Sequence, residues 1–296
     1  MWLPIALISY FFTATANLAD KFLLTKYLKE PIVYAFTIAT LNIVAVVLIP
    51  FGVVLPENFL LFAAFLSGLT FIAGLYTMFY GLTGGETTQV ATVVGGSQPL
   101  FVFLLAAMFL GERLSGLQIL AALFLVVGLF LIGYQPHIKV AKKIILISIL
   151  SGLFFAISYV LSKYLFENMN FVSGFFWARI GGVLAAVLCL IKPRWRKVIF
   201  TKQNEEGGRK KTFGLILVAQ IIGAAGFMLT NVAIALGSVT LVNAMQGVQY
   251  AILFIMSLVA GRYFKEVKED TSTSVLLRKT LAIIIIAIGL TILTKV

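Results

Sequence analysis

Ten long apolar runs fill most of the chain, and they limit the folds that it can adopt. A helix that crosses the hydrocarbon core of a bilayer needs about 20 residues. Lipid accepts only helices or closed barrels, and barrel strands would alternate polar and apolar residues. The runs therefore predict an all-α integral membrane protein with ten transmembrane helices. They cover about 3–21, 32–53, 59–81, 86–110, 115–134, 144–163, 171–191, 213–236, 239–260 and 279–294.

Composition agrees with a multi-pass protein of the cell (plasma) membrane. Of the 296 residues, 61% are hydrophobic and 11% are charged. A soluble domain carries about 45–50% apolar and about 25% charged residues, so this chain needs the lipid bilayer as its partner. The net charge of +12 does not indicate nucleic acid, because the basic residues lie in the gaps between apolar runs.

An internal repeat relates the two ends of the chain. Residues 3–49 align with residues 145–191 without a gap, and a lysine ends the first helix of each segment at the same place. The matched pairs include Ser9 with Ser151, Phe12 with Phe154, and Lys21 with Lys163. We therefore expect two five-helix repeats, at 1–136 and 141–296. An odd number of helices per repeat makes the second enter the membrane in the opposite sense, as in many transporters.

A motif at the end of the fourth helix carries a family resemblance. Pro99-Leu100-Phe101 is followed by an apolar stretch, by Gly111-Glu112-Arg113 and by a helix with Gly128. The sequence resembles the EamA-type ten-helix members of the drug/metabolite transporter superfamily. In the second repeat Gln249 stands where the proline would be, and Gly261-Arg262 replaces Gly-Glu. The resemblance implies a transporter with two inverted five-helix repeats.

Helix nine is the richest in polar side chains at membrane depth. Asn243, Gln246 and Tyr250 have the spacing i, i+3, i+7, which places them on one helical face. Such a face could line a polar cavity and hydrogen-bond a small solute. The alternative is interhelical hydrogen bonding, which contributes about 1 kcal/mol for each bond. We favour the cavity, because one helix carries more amides than packing needs.

Other helices supply further candidates for substrate binding. Each has an alternative role, as a packing residue, a kink or an interfacial anchor. Asn17 and Tyr159 occupy equivalent positions in the two repeats, which suggests a shared central site. The remaining candidates on these helices are Tyr76, Thr92 and Gln98.

Arg179 lies about nine residues into helix seven. A lone arginine at membrane depth costs about 2.5–3.5 kcal/mol or more, so it must face a partner or water. We hypothesise that it binds a substrate carboxylate or pairs with Glu167 or another acid, and the structural pair is the favoured alternative.

The distribution of basic residues predicts the orientation. Nineteen of the 23 Lys and Arg residues follow odd-numbered helices, whereas the other side holds Arg113, Lys163 and Lys295. The positive-inside rule then puts both termini outside, although the family resemblance implies cytoplasmic termini.

Four functions fit a polytopic protein, and a carrier is the best supported. We expect a carrier or exporter of small polar metabolites such as amino acids, working by alternating access. A nucleotide-sugar or lipid-linked sugar carrier would need more buried cations than Arg179. An enzyme is disfavoured, because His137 is the only histidine and no His/Asp/Glu cluster with metal spacing exists. A channel lacks a repeated pore motif. We expect no cofactor, no metal, no catalytic residue, and a monomer.

Overall fold

The computed structural model describes residues 2–26, 30–84, 87–134, 141–201, 209–264 and 272–295. Within these ranges the chain is helical and contains no strand. Ten helical segments are long and apolar enough to cross a membrane, which confirms the ten predicted spans and the all-α membrane fold. The helices are α1 (Trp2–Lys26), α2 (Pro31–Leu41), α3 (Asn58–Gly84), α4 (Thr87–Leu105), α5 (Gly116–Gly133), α6 (Lys142–Asn168), α7 (Phe171–Ile191), α8 (Pro193–Phe200), α9 (Arg209–Leu236), α10 (Val239–Ala244), α11 (Gln246–Ala260) and α12 (Thr273–Leu293).

Three of the predicted spans are not uniform α-helices. The second continues from α2 as a 3₁₀ segment, Asn42–Phe51, and the fourth ends in a π-helical segment, Ala106–Leu110. The ninth is divided at Met245 into α10 and α11. Such interruptions often mark functional sites in helices, because they change the direction of side chains and the pairing of backbone groups.

The basic gap between the seventh and eighth predicted spans begins with a short helix. It contains the short helix α8, which has Pro193 at its first position and Lys197 in its last turn. Proline suits a helix start, because its missing N–H would have no helical partner there. A cation near the C-terminus complements the helix dipole.

The helices form two compact units. Unit 1 consists of Met1–Lys29, Arg113–Tyr134 and Gln203–Val296, and unit 2 consists of Glu30–Glu112 and Gln135–Lys202. Each unit therefore combines helices from both predicted repeats. The repeats themselves, 1–136 and 141–296, are defined by the sequence alignment and stay a prediction.

In unit 2, helix α3 packs closely against α6 and α7. Ser67 donates to the Ser158 carbonyl at 3.0 Å, and its hydroxyl also lies 3.0 Å from that of Ser162. All three side chains are buried. Small residues with hydrogen-bonding side chains are typical of helix interfaces in membranes, where apolar burial alone does not drive association.

In unit 1, α1 packs against α9 and α11, and α5 packs against α12. Tyr10 donates its hydroxyl to the Val242 carbonyl, which ties α1 to α10. The α5–α12 contact is close, since a Cβ added at Gly289 would lie 3.0 Å from the Ala121 carbonyl oxygen. The polar candidates of both units are thus carried on closely packed helices.

Candidate functional site

The clearest polar site of unit 2 surrounds Arg179. Its side chain is 8% exposed, and Nη1 donates to Asn42 Oδ1 at 3.2 Å. The guanidinium carbon lies 5.1 Å from the centre of the Phe71 ring and 5.3 Å from that of Phe175. Cations near aromatic faces gain electrostatic stabilisation, most of all where water is excluded. The cation is therefore held by two rings and one amide.

Two glycine positions bring these groups together. A Cβ added at Gly68 would lie 2.2 Å from the Ala178 carbonyl oxygen, so α3 and α7 can approach this closely only with glycine there. Phe71, one turn further along α3, thereby reaches Arg179. A Cβ at Gly182 would lie 2.6 Å from Asn42 Nδ2, so this glycine leaves room for the amide.

Asn42 was not among the residues that the sequence singled out. Its Nδ2 donates to the Ile38 carbonyl at 3.2 Å, while its Oδ1 accepts from Arg179. It also begins the 3₁₀ segment that continues α2. The sequence could have indicated Asn42, because it is a lone amide within a largely apolar run. Polar groups at membrane depth are costly unless they have a partner.

The acid proposed as a partner of Arg179 has another partner. Glu167 Oε1 lies 3.4 Å from Lys163 Nζ, one turn earlier on α6, and that carboxylate is about half exposed. Asn42 and the two rings contact Arg179, and its predicted pairing with Glu167 or another acid stays a prediction. Tyr159 on α6 interacts electrostatically with Arg179, so these two predicted site residues belong to the same polar site.

Thr92 and Gln98 lie on α4, and both are buried. Helix α4 packs on α6, where a Cβ at Gly152 would lie 2.2 Å from Ser97 Oγ. Pro99 lies inside α4, as the sequence predicts. These residues occupy a closely packed helix pair of unit 2, and their role in binding stays a prediction.

Tyr76 has aromatic neighbours. Its ring centre lies 5.4 Å from that of Trp195 on α8 and 6.3 Å from that of Tyr80. Lys143 Nζ lies 5.9 Å from the centre of the Tyr80 ring. Tyr76 therefore joins α3 to the basic segment that follows α7, and its predicted contact with substrate stays untested.

The amide-rich face of unit 1 is interrupted at Met245. Asn243 is the penultimate residue of α10, whereas Gln246 and Tyr250 lie on α11. The Val248 N–H donates to the Met245 carbonyl at 2.8 Å, which marks a turn tighter than an α-helix. The predicted i, i+3, i+7 face assumed one continuous helix, and the break lies inside it.

Gln246 carries a buried acceptor. Its Oε1 is buried and has no hydrogen-bond partner within the part of the chain that the structure describes. Asn243, also buried, donates Nδ2 to the Val239 carbonyl at 2.8 Å. Asn17 lies on α1 and is half-buried. A buried carbonyl oxygen without a donor costs about 1–3 kcal/mol, which is typical of a position that meets a ligand or water.

The sequence interpretation missed a second buried cation, Lys279. The sequence predicts Lys279 as the first residue of the tenth helix, but α12 begins at Thr273, so Lys279 lies nearly two turns inside. Its side chain is 2% exposed, and Nζ lies 4.2 Å from the centre of the Phe254 ring. The adjacent Arg278 lies over the Tyr134 ring at 5.7 Å.

The described residues contain no group of three or more metal-binding side chains. His137, the only histidine, lies outside the described residues. Each unit buries cations, amides, hydroxyls and aromatic rings, which are groups that can hydrogen-bond a polar solute at membrane depth.

Ten apolar spans among the described residues define a multi-pass integral membrane protein that carries buried polar groups. Residues 1–134 match the EamA-like transporter family. This match confirms, over the first 134 residues, the resemblance carried by Pro99 and the Gly111-Glu112-Arg113 turn. A match to a transporter family also agrees with the expectation that the chain is not an enzyme. The match ends before the second repeat, where the family motif is altered.

Curated relatives include S-adenosylmethionine uptake transporters of three rickettsiae. The protein from Rickettsia conorii is 28% identical over 179 residues, and those from Rickettsia bellii and Rickettsia felis are 27% identical over the same length. The match covers 58% of this chain and 60% of each relative.

A solved crystal structure shares the fold, with a TM-score of 0.69 and 16% identity over 98% of this chain and 94% of the other.

Proposed function

We propose that the protein is a carrier of small metabolites that contain an amino-acid group, and that S-adenosylmethionine is the first substrate to test. Such solutes present a carboxylate, an ammonium group and, in S-adenosylmethionine, a sulfonium and an adenine ring. The observation that carries the proposal is the buried Arg179 guanidinium on Asn42 between Phe71 and Phe175.

A guanidinium is suited to a carboxylate, because its planar donors can form two parallel hydrogen bonds to the two oxygens. Asn42 is a neutral amide, so its hydrogen bond to Nη1 does not neutralise the positive charge of the guanidinium. The flanking rings hold the guanidinium plane in place, which reduces the entropy that binding would cost. Aromatic faces can also attract a substrate cation such as ammonium or sulfonium.

The relatives support this class of substrate. Three of them are named as S-adenosylmethionine uptake transporters, and that compound is a methionine derivative with a free amino-acid end. At 27–28% identity the substrate itself need not be shared. The amino-acid end is the part of that compound that the polar groups around Arg179 match best.

The mechanism that we propose is alternating access between two inverted repeats. Substrate sites of such carriers lie near the midplane and use discontinuous helices, whose freed backbone and side-chain groups face the solute. The break at Met245, between Asn243 and Gln246, is an interruption of this kind.

A nucleotide-sugar or lipid-linked sugar carrier is the second candidate, and one observation favours it. Phosphate-bearing substrates need more buried cations than Arg179, and Lys279 is a second one. Its Nζ rests on the Phe254 ring and could serve as a point charge for phosphate. The experiment therefore includes both classes of substrate.

Counterflow into proteoliposomes tests the proposal. Vesicles preloaded with unlabelled compound would receive labelled S-adenosylmethionine, methionine or a nucleotide-sugar. We expect saturable exchange of S-adenosylmethionine or another amino-acid compound, with competition by compounds that keep the carboxylate. Arg179→Gln should abolish it, and Arg179→Lys should raise KM, because a lysine cannot form the paired contact.

The matched control is Arg113→Gln, which removes an exposed arginine at the start of the second segment of unit 1. It should exchange as well as the unsubstituted protein. Exchange of nucleotide-sugars alone would replace the proposal with the second candidate. Equal KM values for Arg179→Gln and the unsubstituted protein would show that Arg179 does not bind the substrate carboxylate. Loss of exchange in Asn243→Ala/Gln246→Ala would show that these amides of unit 1 are also needed for transport.

A further inference from the structure

Helix α8 follows a membrane span with only one residue between them. α7 ends at Ile191, Lys192 lies between the helices, and α8 covers Pro193–Phe200. The C-terminal end of a span reaches the level of the lipid headgroups, so a helix that starts there lies at the membrane surface. The position of α8 therefore brings its side chains to the headgroups.

The two faces of α8 differ in exposure and charge. Trp195, Val198 and Ile199 are partly buried and have the i, i+3, i+4 spacing of one helical face. Arg194, Arg196 and Lys197 are exposed. An apolar face with an aromatic residue, opposite a basic face, is typical of helices that lie in the interface of a membrane.

Aromatic contacts fix α8 against the rest of unit 2. The Trp195 ring centre lies 5.4 Å from that of Tyr76, and Lys192 Nζ lies 4.2 Å from the centre of the Trp195 ring. The helix also packs against α2 and α7. Tryptophan and tyrosine favour the headgroup level, because their rings combine apolar surface with a polar group. The cations of α8 are thus presented from a fixed position.

Among the residues that the structure describes, no acid forms an ion pair with the exposed cations of α8. Residues 192–197 carry four cations and no acid. Within the described ranges, Arg194, Arg196 and Lys197 form no ion pair. The ion pair that unit 2 does contain joins Lys163 and Glu167 on α6. Clusters of exposed cations next to a membrane span attract anionic lipids.

We propose that α8 is a binding surface for anionic phospholipid headgroups in the leaflet on the basic side of the protein. Arg194, Arg196 and Lys197 would contact headgroup phosphates, while Trp195 would lie at the boundary between headgroups and acyl chains. Charge complementarity and the position at the end of a span select lipid as the occupant. This role is independent of the transported substrate.

The test uses the full chain with Trp195 as its only tryptophan, through Trp2→Phe and Trp177→Phe. The protein is reconstituted into phosphatidylcholine vesicles that contain a minor, equal fraction of brominated phosphatidylglycerol or brominated phosphatidylcholine. Bromine quenches tryptophan over short distances, so quenching reports which lipid lies beside α8. We expect brominated phosphatidylglycerol to quench Trp195 at least about twofold more than brominated phosphatidylcholine does. This excess quenching should fall as the salt concentration rises.

Two variants that lose the same charge distinguish lipid binding by α8 from the general attraction of anionic lipid to a basic protein. Arg196→Gln/Lys197→Gln removes two exposed cations of α8 and should abolish the excess quenching. Arg113→Gln/Lys295→Gln removes two exposed cations on the opposite predicted side and should leave the excess unchanged. Equal quenching by the two brominated lipids, or equal losses in both variants, would overturn the proposal.

A second measurement keeps all three tryptophans. Native mass spectrometry of protein extracted from mixed vesicles should find bound phosphatidylglycerol on the unsubstituted chain and on Arg113→Gln/Lys295→Gln. The Arg196→Gln/Lys197→Gln variant should retain severalfold less of it. Retention of the same amount by all three proteins would contradict a specific role for α8.

Discussion

Ser9 and Ser151, which the ungapped repeat places at equivalent positions, make the same kind of hydrogen bond in different units. In unit 1 Ser9 Oγ donates to the Gly226 carbonyl at 2.9 Å, and in unit 2 Ser151 Oγ donates to the Gly74 carbonyl at 2.8 Å. Each bond joins the first helix of one predicted repeat to the third helix of the other. This correspondence supports the proposal of two equivalent repeats.

Replacing either serine with alanine should lower stability, and Ser9→Ala should lower it somewhat more. Each change removes an interhelical hydrogen bond to a glycine carbonyl, which contributes about 0.6 kcal/mol and up to about 1.7 kcal/mol in a membrane bundle. Ser9→Ala also removes the contact with the Thr230 hydroxyl. Because the two sites share no partner, the double variant should lose the sum. Thermal unfolding in detergent measures this.

The control for this pair is Thr291→Ala, whose hydroxyl donates only within its own helix, to the Ala287 carbonyl. It should unfold at nearly the temperature of the unsubstituted protein. A large loss for one serine and none for the other would mean that the repeat-equivalent bonds are not equivalent in energy.

Gly68→Ala should prevent the close approach of α3 and α7. The added methyl group would meet the Ala178 carbonyl at 2.2 Å and the Gly182 nitrogen at 2.3 Å, and backbone atoms cannot turn aside as a side chain can. Overpacking costs about 1–3 kcal/mol or more. We expect a sharp fall in the yield of monodisperse protein on size exclusion.

Gly116→Ala is the matched control, since nothing lies within 4 Å of its added Cβ. Alanine is favoured over glycine in a helix by up to about 1 kcal/mol, so this variant should be as stable as the unsubstituted protein or more so. Normal behaviour of Gly68→Ala would show that α3 and α7 can separate without loss.

The ten spans could be predicted from the sequence because apolar runs of membrane length have few alternatives. The break at Met245 could not, since α10 and α11 read as one apolar run and their interruption depends on tertiary packing. Helix α8 was hidden for another reason: an eight-residue basic helix is defined by its contacts with Tyr76 and with the end of α7, which composition does not show.

The candidate site was predicted in part. Arg179 stands out because charge at membrane depth is costly, but its partners Phe71, Phe175 and Asn42 come from three different helical segments, and no spacing rule links them. Lys279 was hidden by a helix start placed six residues too late, which made it look like an interfacial lysine.

Asn42→Asp separates the structural role of the Arg179 site from its transport role. An aspartate in this position would form an ion pair with Arg179, at the distance where Asn42 Oδ1 now accepts its hydrogen bond. We expect a higher melting temperature and a higher KM for the transported carboxylate, because the new acid competes with the substrate for the guanidinium.

Asn42→Leu is its counterpart, because leucine cannot accept the hydrogen bond and leaves a buried donor unsatisfied. It should cost about 1–3 kcal/mol of stability. If Asn42→Asp transports with unchanged KM, Arg179 does not contact the substrate.

Lys279→Met tests whether the buried cation of α12 serves structure or substrate. Methionine keeps the length and apolar stem of lysine and can still pack on the Phe254 ring, while the cost of burying a charge disappears. We expect equal or higher stability. If nucleotide-sugar exchange is lost while stability is kept, Lys279 binds phosphate, whereas unchanged exchange would assign it to packing.

Gln246→Leu tests the buried acceptor at the start of α11. Its Oε1 has no hydrogen-bond partner among the described residues, so an apolar replacement of similar size removes a cost and should raise stability by about 1 kcal/mol. If the oxygen meets the substrate, the same change should lower the rate of counterflow, since the solute loses an acceptor. A protein that is more stable and transports less would therefore mark Gln246 as a binding residue. One that is less stable would show that Gln246 has a structural partner in the membrane, such as an ordered water, and would move the substrate contact to another residue.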